Sequence, residues 1–366
     1  MILRPQATIQ KVLISTTSRL VGEYEKNNIL LTHAWPDSLD QSAFARWSEG
    51  PISRSAFIFA FETEPTTNNQ LVVPDYSSMG QLICSYLSIF FGKRFDNHGL
   101  VEENGMFRIP DLAQFGQLCD SQLPQNSHKP RIDFSVPLNL SEVSRIERLF
   151  FDRTLNSKIK RTFEGAAKFY LQALQNVEHD PEIAYLHLIT AGEILSNFYD
   201  YENDTLLDEQ TKKILDKIRH CPDNGEKAAK FISNKLRQIK RRFVETIVRM
   251  IDKDFFLRSE THSKLPASTR FNADTFRDAI SSAYNLRSRY VHTGIPFGRW
   301  VVLKLGGFNN EMPFGVPFVG DQELGKILAK APTYVGLERV MRYCLLQFAK
   351  LNGFFDIKTE VPPNVS

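Results

Sequence analysis

Cysteine is scarce in this chain, and so is any imbalance of charge. Cys84, Cys119, Cys221 and Cys344 are the only four cysteines in 366 residues. No two form a C-x-x-C pair and none joins a histidine at zinc-ligand spacing, which removes the metal-finger and dithiol-redox classes. As a set they read as buried thiols of a reducing compartment. The formal net charge of +3 is too small to argue for nucleic acid by itself, so any such argument rests on local clustering. Long apolar runs are missing as well. Met1-Ile2-Leu3-Arg4-Pro5-Gln6 holds no signal-peptide core. The longest apolar stretch, near Leu82–Phe91, is interrupted by Ser and Tyr and is too short for a bilayer. No membrane contact is expected, and the expected location is the cytoplasm. There is no G-x-x-x-x-G-K phosphate loop, no G-x-G-x-x-G after a strand, no H-E-x-x-H and no G-x-S-x-G. Gly306-Gly307 follows a β-like run without the rest of a phosphate loop. His33, His98, His128, His179, His187, His220 and His262 form no ligand spacing. Neither a metal nor a cofactor is expected.

What is present is ordinary in amount and informative in place. Hydrophobic residues make up 42% of the chain, charged residues 24%, and phenylalanine alone contributes 28. These values predict a soluble globular protein with a well-filled core, long enough for two domains. The first part reads as mixed α/β. Ala56–Phe61 is apolar at every position, as in a strand buried on both faces. Ile9–Ile14 and Ile29–His33 are further strand candidates, and Leu100–Ile109 reads as a hairpin turning at Asn104-Gly105. Met79–Phe91 places Leu82, Ile83, Tyr86, Leu87 and Phe90 at helical spacing. Ser121–Pro130 has the composition of a loop or linker, and Ile132–Val136 reads as one more short strand. The boundary is placed near residue 140, giving a mixed domain over 1–140 and a helical bundle over 141–366, an α+β protein.

In the second part Ser141 is read as the cap of a helix through Ile146, Leu149 and Phe150. Helices follow over Ile159–Val177, from Asp180-Pro181-Glu182 to about Tyr199, over Leu207–Cys221, and as one long helix over Glu226–Ile251. Another opens at Asn272 or Asp274 and stops at Gly294. A non-helical excursion near 300–318 precedes a closing helix, Thr333–Leu351. Short loops between antiparallel helices predict a bundle.

Three constellations carry chemistry. The late helix reads Asn285-Leu286-Arg287-Ser288-Arg289-Tyr290-Val291-His292-Thr293-Gly294. Histidine moves protons near neutral pH, and arginine holds a phosphate while negative charge builds. Five positions apart, Arg287 and His292 point about 140° apart on a regular helix, so they converge only where the helix ends and the histidine turns inward. The plainer reading makes Arg287 a solvated or salt-bridged residue and His292 a cation at the helix C-terminus. Second, Glu226–Ile251 carries Lys227, Lys230, Lys235, Arg237, Lys240, Arg241, Arg242 and Arg249 against Glu226 and Glu245. Lys235, Arg242 and Arg249 recur every seven residues, a stripe that can follow a phosphate backbone or simply be a solvated face. Third, Glu193 lies in an apolar helix. If buried it needs a partner, for which Arg287 of a facing helix is suited; otherwise it is exposed.

A helical bundle whose late helix carries Leu286-Arg287-x4-His292-Thr293-Gly294 resembles the HEPN superfamily, and most closely its ApeA-like branch, where an α/β region precedes the bundle. The helix with Ala191-Gly192-Glu193-Ile194-Leu195 is similar to the family's early acidic helix. The resemblance covers roughly 141–355, and 1–140 more loosely. It implies a metal-independent endoribonuclease that cuts single-stranded RNA by 2′-hydroxyl attack, acting in anti-phage defence or stress response. It also implies a homodimer with a composite site built from two copies of Arg287 and His292, and a sensing or regulatory role for the first domain. Ser288 stands where active members carry Asn, Asp or His after the arginine. Arg289 and Tyr290 are candidates for a further phosphate contact. The alternatives are a non-catalytic module binding RNA, a nucleotide or a protein, and an oligomerisation platform without nucleic acid.

Overall fold

The computed structural model describes residues 7–34, 54–63, 76–151, 157–201, 207, 209–222, 224–235, 239–317 and 319–356. It is an α+β protein. A six-stranded sheet comprises β1 (Thr8–Thr16), β2 (Tyr24–Lys26), β3 (Ile29–His33), β4 (Ser55–Thr63), β5 (Phe95–Glu103) and β6 (Met106–Phe107), in the order β2-β3-β4-β1-β5-β6. Every pairing is antiparallel. The apolar run at 56–61 lies in β4, paired on both sides, with Ile14 opposite Phe57 and Val12 opposite Phe59 on β1. The expected hairpin forms: Asn104 and Gly105 both take positive φ (51° and 80°), as a two-residue turn matched to strand twist requires. Asn27-Asn28 makes a second such turn between β2 and β3, with φ of 48° and 62°.

Helix α1 (Ser77–Phe91) covers the sheet and is buried along its second half. It is followed by α2 (Glu147–Phe151), α3 (Ser157–Asn176), α4 (Pro181–Phe198), α5 (Glu209–Arg219), α6 (Gly225–Lys235), α7 (Ile239–Met250), α8 (Lys253–Phe256), α9 (Ala273–Thr293), α10 (Gln322–Leu328) and α11 (Tyr334–Leu351). Start signals act as expected at α4, where the Asp180 side chain accepts from the Ile183 N–H with Pro181 behind it. At α9, Asn272 caps through the Asp274 N–H. The excursion is present: a 3₁₀ turn at Gly298–Val302 and a Leu305–Phe308 bridge precede α10. No helix among the described residues is long and apolar enough to cross a membrane.

Two expectations are corrected. Ser141 does not cap an α-helix; the Asn139 side chain accepts from the Ser141 N–H and opens a 3₁₀ segment, Leu140–Ile146, before α2 begins. Of the long helix expected over 226–251, α6 and α7 are helical, and 236–238 between them lie outside the described residues. Ile132–Val136 forms no strand. Its backbone is spent on other partners: the Asp133 carbonyl accepts from Arg342, and the Ile132 carbonyl from Arg258.

That segment marks the main structural joint. Arg131 forms a two-pronged pair with Glu338 of α11 (2.9 and 2.6 Å) and reaches Glu260 with its Nε (2.8 Å). Asp133 accepts two bonds from Arg339 (2.6 and 3.1 Å), whose other arm donates to Glu311 (2.7 Å). Arg342 donates to the Ile89 and Phe90 carbonyls, the unpaired end of α1. All three α11 side chains are buried. One hydrophobic core continues past them from sheet to bundle, through Tyr86 stacked on Phe163 and Phe90 edge-on to Phe355. The segment expected to be a linker contributes too, with Leu123, Gln125 and Asn126 buried.

Removing one partner of a buried pair strands the other charge. Glu338→Ala is therefore expected to lower unfolding free energy by about 3–5 kcal/mol in urea titration. The double replacement Arg131→Met with Glu338→Leu should recover much of that, and an unchanged midpoint for Glu338→Ala would contradict the assignment.

Buried His98 adds a pH dependence. Its Nδ1 donates to the Asp111 carbonyl and its Nε2 accepts from Ser15, both at 2.7 Å, a neutral tautomer. Burial lowers its pKa, so the unfolded chain takes up a proton, below about pH 6.5, that the folded chain refuses. Stability is complete above that pH and falls as pH drops below it. The denaturation midpoint should decline from pH 7 to pH 5, less steeply in His98→Asn.

Candidate functional site

Helix α9 carries the motif on two separate faces. On one, Arg287 turns toward α4, where its Nη2 lies 3.2 Å from the Glu193 carboxylate. The other carboxylate oxygen accepts from the Tyr284 hydroxyl at 2.8 Å, and the Arg287 guanidinium lies over the Tyr284 ring. Burial, then Glu193, pushes the Tyr284 hydroxyl up to about 12, so it stays a donor and leaves the negative charge to face Arg287. Glu193 thus has a partner, and that partner is Arg287. The arginine side chain remains 25% exposed, so it is held and still reachable.

His292 sits in the last turn. The helix stays regular through Thr293 and closes at Gly294, whose φ of 68° lets its N–H reach the Tyr290 carbonyl. The histidine therefore does not turn inward. It is exposed and makes no hydrogen bond or ion pair among the described residues. Within one chain the structure does not bring Arg287 and His292 together, as the angle of about 140° between them requires.

The supporting candidates divide. Ser288 is half-buried and without a side-chain partner among the described residues. Arg289 is taken by Asp321 and Glu323 at the start of α10, and Tyr290 packs edge-on to Phe297. Arg289 is thus committed to carboxylates, while the Tyr290 ring is held by packing. Of the basic stripe, Arg242 donates to the Tyr199 carbonyl. Arg249 pairs with Glu245 and lies over Tyr201. The Lys235 side chain lies outside the described residues. Arg242 and Arg249 thus hold α7 in place rather than joining the motif.

Lys240 does reach α9: its Nζ donates to the Asn285 side chain at 2.7 Å. The seven-residue period passes over it, and only the packing of α7 on α9 singles it out. Tyr284 is similarly legible only in retrospect, one helical turn before Arg287. Among the described residues no group of three or more His, Cys, Asp or Glu side chains is placed to hold a metal ion.

No family model, curated protein or solved structure matches this chain. The functional reading therefore stands on the motif and its geometry.

Glu193→Ala removes the acceptor of both Tyr284 and Arg287. It is expected to cost about 1–3 kcal/mol of unfolding free energy, with Tyr284→Phe losing less. A pair that contributes nothing would leave the urea midpoint of Glu193→Ala at the wild-type value.

Proposed function

We propose that this protein is a metal-independent endoribonuclease of the HEPN type, cutting single-stranded RNA as a homodimer in anti-phage defence or stress response. One observation carries the reading: an exposed histidine, without a partner among the described residues, lies in the last turn of the same helix on which an arginine, five residues earlier, is fixed by a carboxylate yet still accessible. In the reaction a ribose 2′-hydroxyl attacks the adjacent phosphate. The 5′-oxygen of the next nucleotide leaves, and a cyclic phosphate end remains. His292 moves the proton and Arg287 stabilises the charge of the five-coordinate phosphorus. Because the two point apart in one chain, Arg287 of one copy would work with His292 of the other. Around His292, Val291 is 53% exposed, Ile295 40% and Trp300 37%. An apolar rim of this kind favours a seat for a second copy.

The Arg287–Glu193 ion pair also favours a second reading, in which the bundle binds RNA without cutting it and Arg287 is structural. Fluorescent single-stranded RNA incubated with the protein in EDTA separates the two. The nuclease predicts cleavage to cyclic phosphate ends, reduced on the order of 10²-fold or more in His292→Ala. Salt-dependent binding without cleavage supports the binding module, and cleavage unaffected by His292→Ala would overturn the nuclease assignment.

A further inference from the structure

Several polar side chains along α9 are engaged: Arg277 with Glu245, Tyr284 and Arg287 with Glu193, Arg289 with Asp321. Among those with free donors, three share one side of the helix toward its C-terminal end. The Asn285 oxygen accepts from Lys240, which leaves its Nδ2 without a partner among the described residues. The Ser288 hydroxyl and the His292 ring are likewise unpartnered. Positions 285, 288 and 292 fall within an arc of about 60° on a helix, and Asn285 and His292 are two turns apart, about 10.5 Å along the axis. Among the described residues they form one strip of free donors, turned about 100–160° away from Arg287.

Lys240 completes that strip. It is half-buried, and among the described residues it has no carboxylate partner, only the neutral Asn285 amide. Burial, then the neighbouring Arg241, pulls its ammonium below the usual lysine range, which marks a positive charge that is not compensated. Its position is fixed by the register of α7 on α9: Glu245 lies against Arg277 at one point and Lys240 against Asn285 two turns further toward His292.

We propose that Lys240 and the Asn285 amide form a phosphate-holding subsite beside His292, which takes a neighbouring phosphate of the RNA strand being cut. This rests on the ribonuclease reading of His292. An ammonium and an amide N–H₂ side by side are two donors for one phosphate oxygen pair. The Ser288 hydroxyl lies along the path between subsite and histidine. The contact is to the backbone, so it sets strand direction and register rather than sequence.

The test uses a fluorescent 2′-O-methyl oligoribonucleotide, which lacks the attacking hydroxyl and cannot be cut. Its binding to the full chain is followed by anisotropy in EDTA across a salt series. Loss of one phosphate contact in Lys240→Gln should weaken binding about fivefold at 0.1 M salt and flatten the log–log salt slope by about 0.7. Lys240→Arg should keep both values. Thermal melting checks folding, and Asn285→Asp gives an independent variant, since its carboxylate would occupy Lys240 and weaken binding similarly. Failure of the wild type to bind would remove the ribonuclease reading and the subsite with it. Binding by wild type with unchanged affinity and slope in Lys240→Gln would remove the subsite alone.

Discussion

The buried charges of α11 hold this structure together. Glu338, Arg339 and Arg342 project into the joint between sheet and bundle; Glu338 and Arg339 meet groups from both sides of it, and Arg342 meets the end of α1 and the Asp133 carbonyl. Such groups are costly to desolvate and do not stabilise merely by being buried. They tie the 131–133 segment and the open carbonyl end of α1 to a single helix, through Arg131, Asp133 and Arg342. The hydrophobic contacts around them, aromatic on aromatic from α1 to α3 and 354–355, tolerate sliding far better.

From that anchored helix the geometry propagates outward to α9. Helix α11 packs on α4, and α4 carries the Glu193 that fixes Arg287. Helix α7 lies between α11 and α9 and fixes Lys240 against Asn285. The motif helix is thus clamped on two flanks by ion pairs and hydrogen bonds. Its end and the residues just beyond it, 291–296, are left exposed. A rigid stem with an open tip is what a site completed by a second molecule needs, because the reacting groups must be held before the partner arrives.

Much of this arrangement was legible in the residues, for identifiable reasons. Asn104-Gly105 announces its turn because few other dipeptides take two positive φ values cheaply. Asp180-Pro181-Glu182 announces a helix start because capping is local chemistry. The partnership of Glu193 with Arg287 followed from the cost of leaving a carboxylate bare on an apolar helix. Other features were not legible. Ile132–Val136 alternates like a strand, and its true role depends on arginines more than 200 positions away in sequence. The basic run on α7 looked like a phosphate track at Arg242 and Arg249, but each found a local partner. Lys240, which broke the period, is the one that meets the motif helix, through the neutral Asn285 amide. Periodicity describes a helix in isolation; which face meets which neighbour is decided by packing.

The central claim is that Arg287 and His292 act across a pair of protomers, and complementation tests it most directly. Arg287→Ala and His292→Ala would each be purified, shown to be inactive on single-stranded RNA in EDTA, then mixed under conditions of subunit exchange. A composite site predicts that the mixture regains cleavage, because a mixed dimer keeps one intact pairing of Arg287 with His292. A mixture that exchanges subunits yet stays as inactive as its parts would contradict that site.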